Sequence, residues 1–422
     1  MSSRAPSRSV SSASLPTRRD TPVPELSPAE KDKSAHISAA CRVRDLPALV
    51  ELATSTHGLV SDSLRRTAWP LLLACSNEPP SDTPWTELPA HADEHQVALD
   101  VNRAFVYYPQ NGLSQSESEN QLDRRKEQLS AVILDVLRRH PALCYFQGYH
   151  DIVQVFLLVL GPQDAPAAVA RLSLLRIRDF MLSSLDPAIA HLHLLHPIIH
   201  SADPVLYDHL PKSQPSFALA GTITMFAHNI QDYGDIARLF DFFLARNTVM
   251  PIYFFAAVVL SRREEMLEIE KEDVDIMHVV LGKLPQPFDV EFHIARALEL
   301  HERLPPDSLG SWAWWRISSS SVLKTPSTPL ELNNMSLEEG ERLLQQQEKE
   351  VRRQQAFKKA ATNAKYIRRR LWYYRRHGTF GLAIAVGVYA LWLGRNGDFA
   401  TRYMNSRPLS DFLRKIMGVL SF

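Results

Sequence analysis

Apolar residues recur three and four positions apart along most of the chain, the repeat of helices with one buried face. Leu46, Leu49, Val50 and Leu52 form a first stripe, and Ser61 to Ala74 a second, with Ser61 or Asp62 as its N-cap and Trp69 in its core. Arg65 is expected beside Trp69 as a solvated or ion-paired neighbour. Leu129 to Arg139 is amphipathic, and a continuous apolar run from Ile152 to Leu160 follows Gln147 and Gly148. Further on, helices are predicted over 167–184, 188–199, 217–231, 234–246, 251–269, 272–284 and 288–303, punctuated by prolines such as Pro187, Pro251 and Pro305. No stretch alternates with a period of two for long enough to make a sheet. The predicted fold class is all-α.

The polar stretches divide the chain. Residues 1–34 are rich in Ser, Pro and Arg and poor in bulky apolar side chains, so a disordered tail is expected rather than a transit peptide or secretory signal. A helical domain follows over 35–308, interrupted by a Pro-rich connector from Glu78 to Pro89 and a polar loop at 109–123. Residues 309–336 are expected to be a linker and 337–377 a charged helix that turns basic towards its end. A transmembrane helix is predicted over 378–395, then a short tail over 396–422. The uncharged run from Thr379 to Gly394 has 16 residues, about 24 Å of helix. That is close to the hydrocarbon thickness of a thin bilayer, and arginines and aromatic residues flank it.

Lys and Arg number 47, and so do Asp and Glu, a balance that argues against nucleic acid as a partner. Three widely spaced cysteines argue against a disulfide framework, so the working part is expected in the cytosol.

Candidate chemistry lies in two short motifs. Asp100 and Arg103, three apart on a helix, share a face, where the carboxylate can orient the guanidinium. Tyr145-Phe-Gln147-Gly148-Tyr-His-Asp151 reads as a loop that delivers a Gln at the mouth of a helix. An exposed Arg and an exposed Gln, each on its own short motif, are not what a structural core needs.

Val97-x-x-Asp100-x-x-Arg103 followed by Tyr145-x-Gln147-Gly148-x-x-Asp151 resembles the paired fingerprint of the TBC family, the Rab GTPase-activating proteins. Arg65-x-x-x-Trp69-Pro70 and the stretch from Arg238 to Tyr253 extend the resemblance. It implies a two-lobed, V-shaped helical domain, here followed by a basic helix and the transmembrane helix. It also implies catalytic roles for Arg103 and Gln147, the latter standing in for the GTPase's own glutamine. Asp100, Tyr145, Gly148 and Asp151 would support them. The partner would be a Rab small GTPase in its GTP form. That partner holds GTP and Mg, so the chain itself needs no cofactor. The subfamily resemblance points to a single-pass protein of the endoplasmic reticulum membrane, with a cytosolic catalytic domain acting on transport to the Golgi. A non-catalytic Rab-binding or membrane-shaping scaffold is the other reading. One departure stands out: Ala220-Gly221-Thr-Ile-Thr-Met225-Phe226 occupies a stretch that usually carries a Trp, which puts local packing in question.

Two other constellations are weaker. His191-x-His193-x-x-His196-x-x-x-His200 has metal-like spacing, but its interleaved Leu, Ile and Pro fit helix packing, and no metal is expected. Cys144 and His150 flank Gln147 without a sign of an activated thiol. No phosphate-binding Gly-rich loop ending in Lys-Ser/Thr occurs.

Overall fold

A computed structural model describes residues 26–77, 83–106, 108 and 115–395. Among them there is helix and no strand, as the hydrophobic repeat predicts. The chain divides into a unit through Val351 and a second from Arg352.

The first unit begins earlier than expected. Pro28–Val43 is helical, because Ser27 and Glu30 form a reciprocal capping box and Pro28 presets the first turn. The disordered tail predicted over 1–34 is therefore corrected from residue 28 onward, and residues 1–25 lie outside the described ones. Asp45, Asp232 and Asp289 cap Leu46–Thr54, Tyr233–Ala245 and Val290–Arg303 by their side chains alone, each accepting a backbone N–H.

Trp69 on the helix Asp62–Leu72 is fully buried between Phe156 at 5.3 Å and Phe240 at 6.0 Å, ring centre to ring centre. Its indole N–H donates to Asp241 Oδ1 at 2.8 Å. The same buried carboxylate accepts from Arg65 Nε at 3.0 Å and from the Leu59 amide at 2.9 Å. Removing Asp241 would leave the Arg65 guanidinium with Asp62, at 2.9 Å, as its remaining acid and would take the acceptor from the buried Trp69 indole and Leu59 amide, a destabilising change. Arg238, one turn earlier, grips Glu291 at 2.6 Å and the carbonyls of Ala53 and Thr54 at 3.1 Å. Gly58 sits against both: its φ is +50°, and a Cβ there would lie 2.6 Å from Asp241 Oδ2. The N-terminal helices are thus locked to Tyr233–Ala245 by charge as well as by apolar packing.

Residues 309–336 are not a free linker. Three buried arginines hold this stretch by its main chain. Arg171 donates to the carbonyls of Leu332 at 2.8 Å and Met335 at 3.0 Å. Arg176 reaches Ser327 O, and Arg178 donates to Ser320 O at 2.5 Å and Thr325 Oγ1 at 2.6 Å. Asp179 accepts from the Val322 amide at 3.0 Å, which leaves Val322 and Leu323 in the core. Polar side chains gripping carbonyls leave no hydrophobic periodicity, so the pattern alone reads as a connector.

Several helix limits also shift. The helix predicted at 167–184 ends at Leu175, before buried Arg176 and Arg178, and belongs to Tyr149–Leu175, which breaks at Gly161 (φ 80°, ψ 170°). Only Leu219–Ile223 of 217–231 is α-helical, because Met225 and Phe226 take left-handed φ values of 50° and 65°. The stretch 251–269 breaks into Met250–Ser261 and Arg263–Glu268. The helix of Leu129 begins upstream at Gln115, inside the predicted loop. Gly221 is explained: Phe226 packs over it, 3.3 Å from where a Cβ would stand, and fills the core against Phe254 at 4.8 Å.

One helix, Leu337–Arg395, runs unbroken through the boundary expected at residue 378. Its start packs on the first unit, where a Cβ on Gly340 would meet Leu175 Cδ2 at 2.9 Å. In the second unit every residue from 352 to 370 is exposed. Among the described residues, the helix long and apolar enough to cross a membrane is Tyr149–Leu175, but 61% of its most apolar window is buried and Gly161 breaks it, so it is a core element. Gly381–Trp392 is a shorter apolar stretch within the predicted span. The predicted tail over 396–422 lies outside the described residues.

Candidate functional site

Asp100 ends a short helix, Glu94–Val101, with its carboxylate fully buried. Arg103 follows the helix end and pairs with Asp100 Oδ1, yet its side chain is 64% exposed. The buried acid therefore holds one side of a guanidinium whose remaining donors face outward. Gln96, one turn back, donates to the same oxygen at 3.1 Å. The other oxygen accepts from the Tyr145 hydroxyl at 3.0 Å, with His150 Nδ1 at 3.9 Å. Burial pushes the Tyr145 hydroxyl up, and the Asp100 charge adds to it, so the tyrosine stays a neutral donor.

The two motifs are joined a second time. The Tyr145 amide donates to Asp93 Oδ2 at 2.8 Å, just before the Asp100 helix. Arg138, from Gln115–Arg139, clamps Glu94 on that helix at 2.7 Å and 3.0 Å. After Arg103 the chain turns at Phe105 (φ 63°), whose amide donates to buried Gln154 Oε1 at 2.9 Å. One end of the Arg103 turn is thus tied to the helix that starts at Tyr149 and the other to the loop that precedes it.

Gln147 stands exposed between two fixed residues. Phe146 is buried against Tyr149 at 5.7 Å and Phe180 at 6.2 Å. Gly148 takes φ 103°, a conformation that favours glycine, and a Cβ there would lie 2.6 Å from Thr224 Cγ2. Asp151 lies in the first turn of the following helix, where a negative charge complements the helix dipole. It sits between two histidines, His150 Nε2 at 3.3 Å and His228 Nδ1 at 3.1 Å. The hydrogen bond to Asp151 raises the His228 pKa, whereas burial lowers that of His150 against the pull of Asp151 and Asp100.

Arg103, Gln147, Gly148, Asp151, Thr224 and His228 line one cleft of about 490 Å³. Asp100 and Tyr145 support its floor from behind. All six residues singled out in the two motifs therefore meet in one place. Sequence reasoning missed Asp93, Gln96, Gln154, Thr224 and His228. Gln96 could have been found, since it lies one helical turn before Asp100. The others have no local signal, because their partners are distant in the chain.

The histidine run packs against rings and a carbonyl, with His193 stacked on His196 at 6.5 Å and His196 edge-on to Tyr207 at 6.0 Å. His191 pairs with Asp179 at 2.8 Å, His196 with the Ser213 carbonyl at 3.1 Å, and His200 packs edge-on against Tyr207. Among the described residues no group of three or more metal-ligating side chains comes together.

Residues 62–268 match the family model described as the Rab-GTPase-TBC domain. The human protein "TBC1 domain family member 20" is 39% identical over 268 residues, which cover 63% of this chain and 65% of that protein. The fission-yeast (Schizosaccharomyces pombe) "GTPase-activating protein gyp10" is 33% identical over 312 residues, 72% of this chain and 82% of that protein. The crystal structure of the Ypt/Rab-GAP domain of Gyp1p superposes with a TM-score of 0.49 at 14% identity, covering 64% of this chain and 99% of that one. The match to the human relative thus spans just under two thirds of its length. Both motifs lie inside the matched stretch, and the chain belongs to the Rab-GTPase-TBC domain family.

Proposed function

We propose that this protein is a GTPase activator that lends two side chains, Arg103 and Gln147, to a Rab GTPase bound in its GTP form. The observation that carries the reading is the exposure of Arg103 above a fully buried Asp100, on the same cleft as exposed Gln147. A surface arginine with only a structural role needs no buried acid, itself held by Gln96 and Tyr145, to aim it. The partner holds the nucleotide and its Mg. Arg103 neutralises charge that develops on the transferred phosphoryl group, and Gln147 orients the attacking water. An arginine supplied in this way is worth about 10³–10⁵ in rate. Because Asp100 and Tyr145 fix the guanidinium beforehand, less order remains to be gained at the encounter.

The relatives' names, which include a GTPase-activating protein, support the class of activity. Transport between the endoplasmic reticulum and Golgi, and residence in the endoplasmic reticulum membrane through Gly381–Trp392 and its flanks, extend the proposal. The flanking arginines and Trp392 fit a short span in a thin bilayer. The first test is GTP hydrolysis by a panel of purified Rabs with the full chain added. Stimulation of at least one by orders of magnitude is expected. Binding without stimulation of any would favour the scaffold reading. Resistance of the full chain to alkaline carbonate extraction tests the anchor, and its release would remove it.

A further inference from the structure

The stretch between the packed domain and the apolar segment carries a charge that no part of the proposed GTPase chemistry uses. From Arg352 to Arg376 there are ten Lys and Arg residues and no Asp or Glu, in a chain whose total charges balance. Residues 352–370 are helical and exposed throughout, so the eight cations among them are not absorbed into a core. The helix is also two-sided. Phe357, Ala360, Ala364 and Ile367 follow one another at spacings of three, four and three, and Phe357 is 76% and Ile367 55% exposed. Lys358, Lys365 and Arg369 lie together on one side of that stripe and Lys359 and Arg370 on the other, while Arg353 falls on it and Arg368 borders it.

A weakly apolar stripe between basic flanks is the pattern of a helix that lies in a bilayer interface and is attracted by anionic lipid. A second copy of the chain is disfavoured as occupant, since pairing the stripes would bring two strongly cationic helices together. Nucleic acid would meet the charge, but it has no use for the apolar stripe or for the apolar run that continues the same helix to Trp392. We infer that residues 352–376 form a lipid-sensing helix that binds the anionic headgroups of the cytosolic leaflet, separately from any span. This extends the proposed membrane association but does not require Gly381–Trp392 to cross the bilayer. Each basic residue near such a surface strengthens partitioning about fivefold, and salt screens the attraction.

The test is flotation of the full chain, synthesised without cells in the presence of vesicles of phosphatidylcholine, alone or with about a third phosphatidylserine. At about 0.1 M salt, capture by the anionic vesicles should exceed that by neutral ones at least tenfold, and about 0.5 M salt should erase the excess. The variant Lys358→Glu, Lys359→Glu, Arg368→Glu, Arg369→Glu should lose the excess. Glutamine at the same four positions, which changes charge with little change in helix propensity, should lose most of it. Equal carbonate-extractable capture of the wild type by both vesicles would overturn the inference, as would an excess that survives the glutamate substitutions. So would complete displacement from anionic vesicles by an equimolar short DNA duplex, which would mark a nucleic-acid surface. Carbonate-resistant capture by neutral vesicles reports only the span, so failure of the span leaves the lipid-sensing helix standing.

Discussion

The Tyr145 hydroxyl and the Asp100 carboxylate meet at 3.0 Å, and this one bond joins the loop that carries Gln147 to the turn that carries Arg103. Tyr145→Phe removes it with little change of shape. Hydrogen bonds to buried charges contribute about 1.5–3 kcal/mol, so a catalytic loss of about tenfold to a hundredfold is expected if Asp100 then relaxes its hold on Arg103. The loss should fall on kcat, because the surface offered to the partner is unchanged. A rise in KM at constant kcat would place Tyr145 in binding.

Gly148 carries two constraints that can be separated. Its φ of 103° strains any other residue, and a Cβ would meet Thr224 Cγ2 at 2.6 Å. Gly148→Ala should destabilise the fold by about 1–3 kcal/mol and displace Gln147. Adding Thr224→Ser removes the clashing methyl and should recover part of the stability, since only the backbone strain remains. Thermal unfolding of the single and double variants checks this. Full recovery would mean that backbone strain contributes nothing.

His228 and Asp151 predict a pH dependence of definite sign. Asp151 raises the His228 pKa, so the folded value lies above the unfolded one. The stabilisation is therefore fully present below the ordinary histidine value of about 6.5 and is lost as pH rises through the raised folded value. His228→Gln should lower the unfolding midpoint at pH 6 more than at pH 8.5. An equal shift at both would show that the ion pair adds no stability. Most of the His228 side chain is exposed, so the effect should weaken with salt.

The repeat of apolar residues carried the fold class, because helices bury a stripe and leave that stripe in the sequence. Trp69 was legible for the same reason. The candidate site was legible only as two motifs. Their meeting depends on contacts such as Tyr145 with Asp93 and Asp100, between residues far apart in the chain. Residues 309–336 were misread because Arg171, Arg176 and Arg178 hold that segment by its carbonyls, and a carbonyl is the same in every residue. The break after Ile223 was hidden as well. Met225 and Phe226 are apolar and continue the helical pattern, yet both take left-handed φ values that nothing in their side chains announces.

The central claim is that Arg103 is presented, already oriented, to a partner's nucleotide. The most direct measurement is single-turnover GTP hydrolysis by the best Rab substrate, with the wild-type chain, Arg103→Ala and Arg103→Lys in parallel, and binding of the same Rab recorded for each. Arg103→Ala should lose about 10³-fold or more of the stimulation while binding persists. Arg103→Lys should fail nearly as badly, since an ammonium cannot keep the pairing to Asp100 and still present a planar fork. Near-wild-type stimulation by Arg103→Ala, with Rab binding intact, would contradict the account.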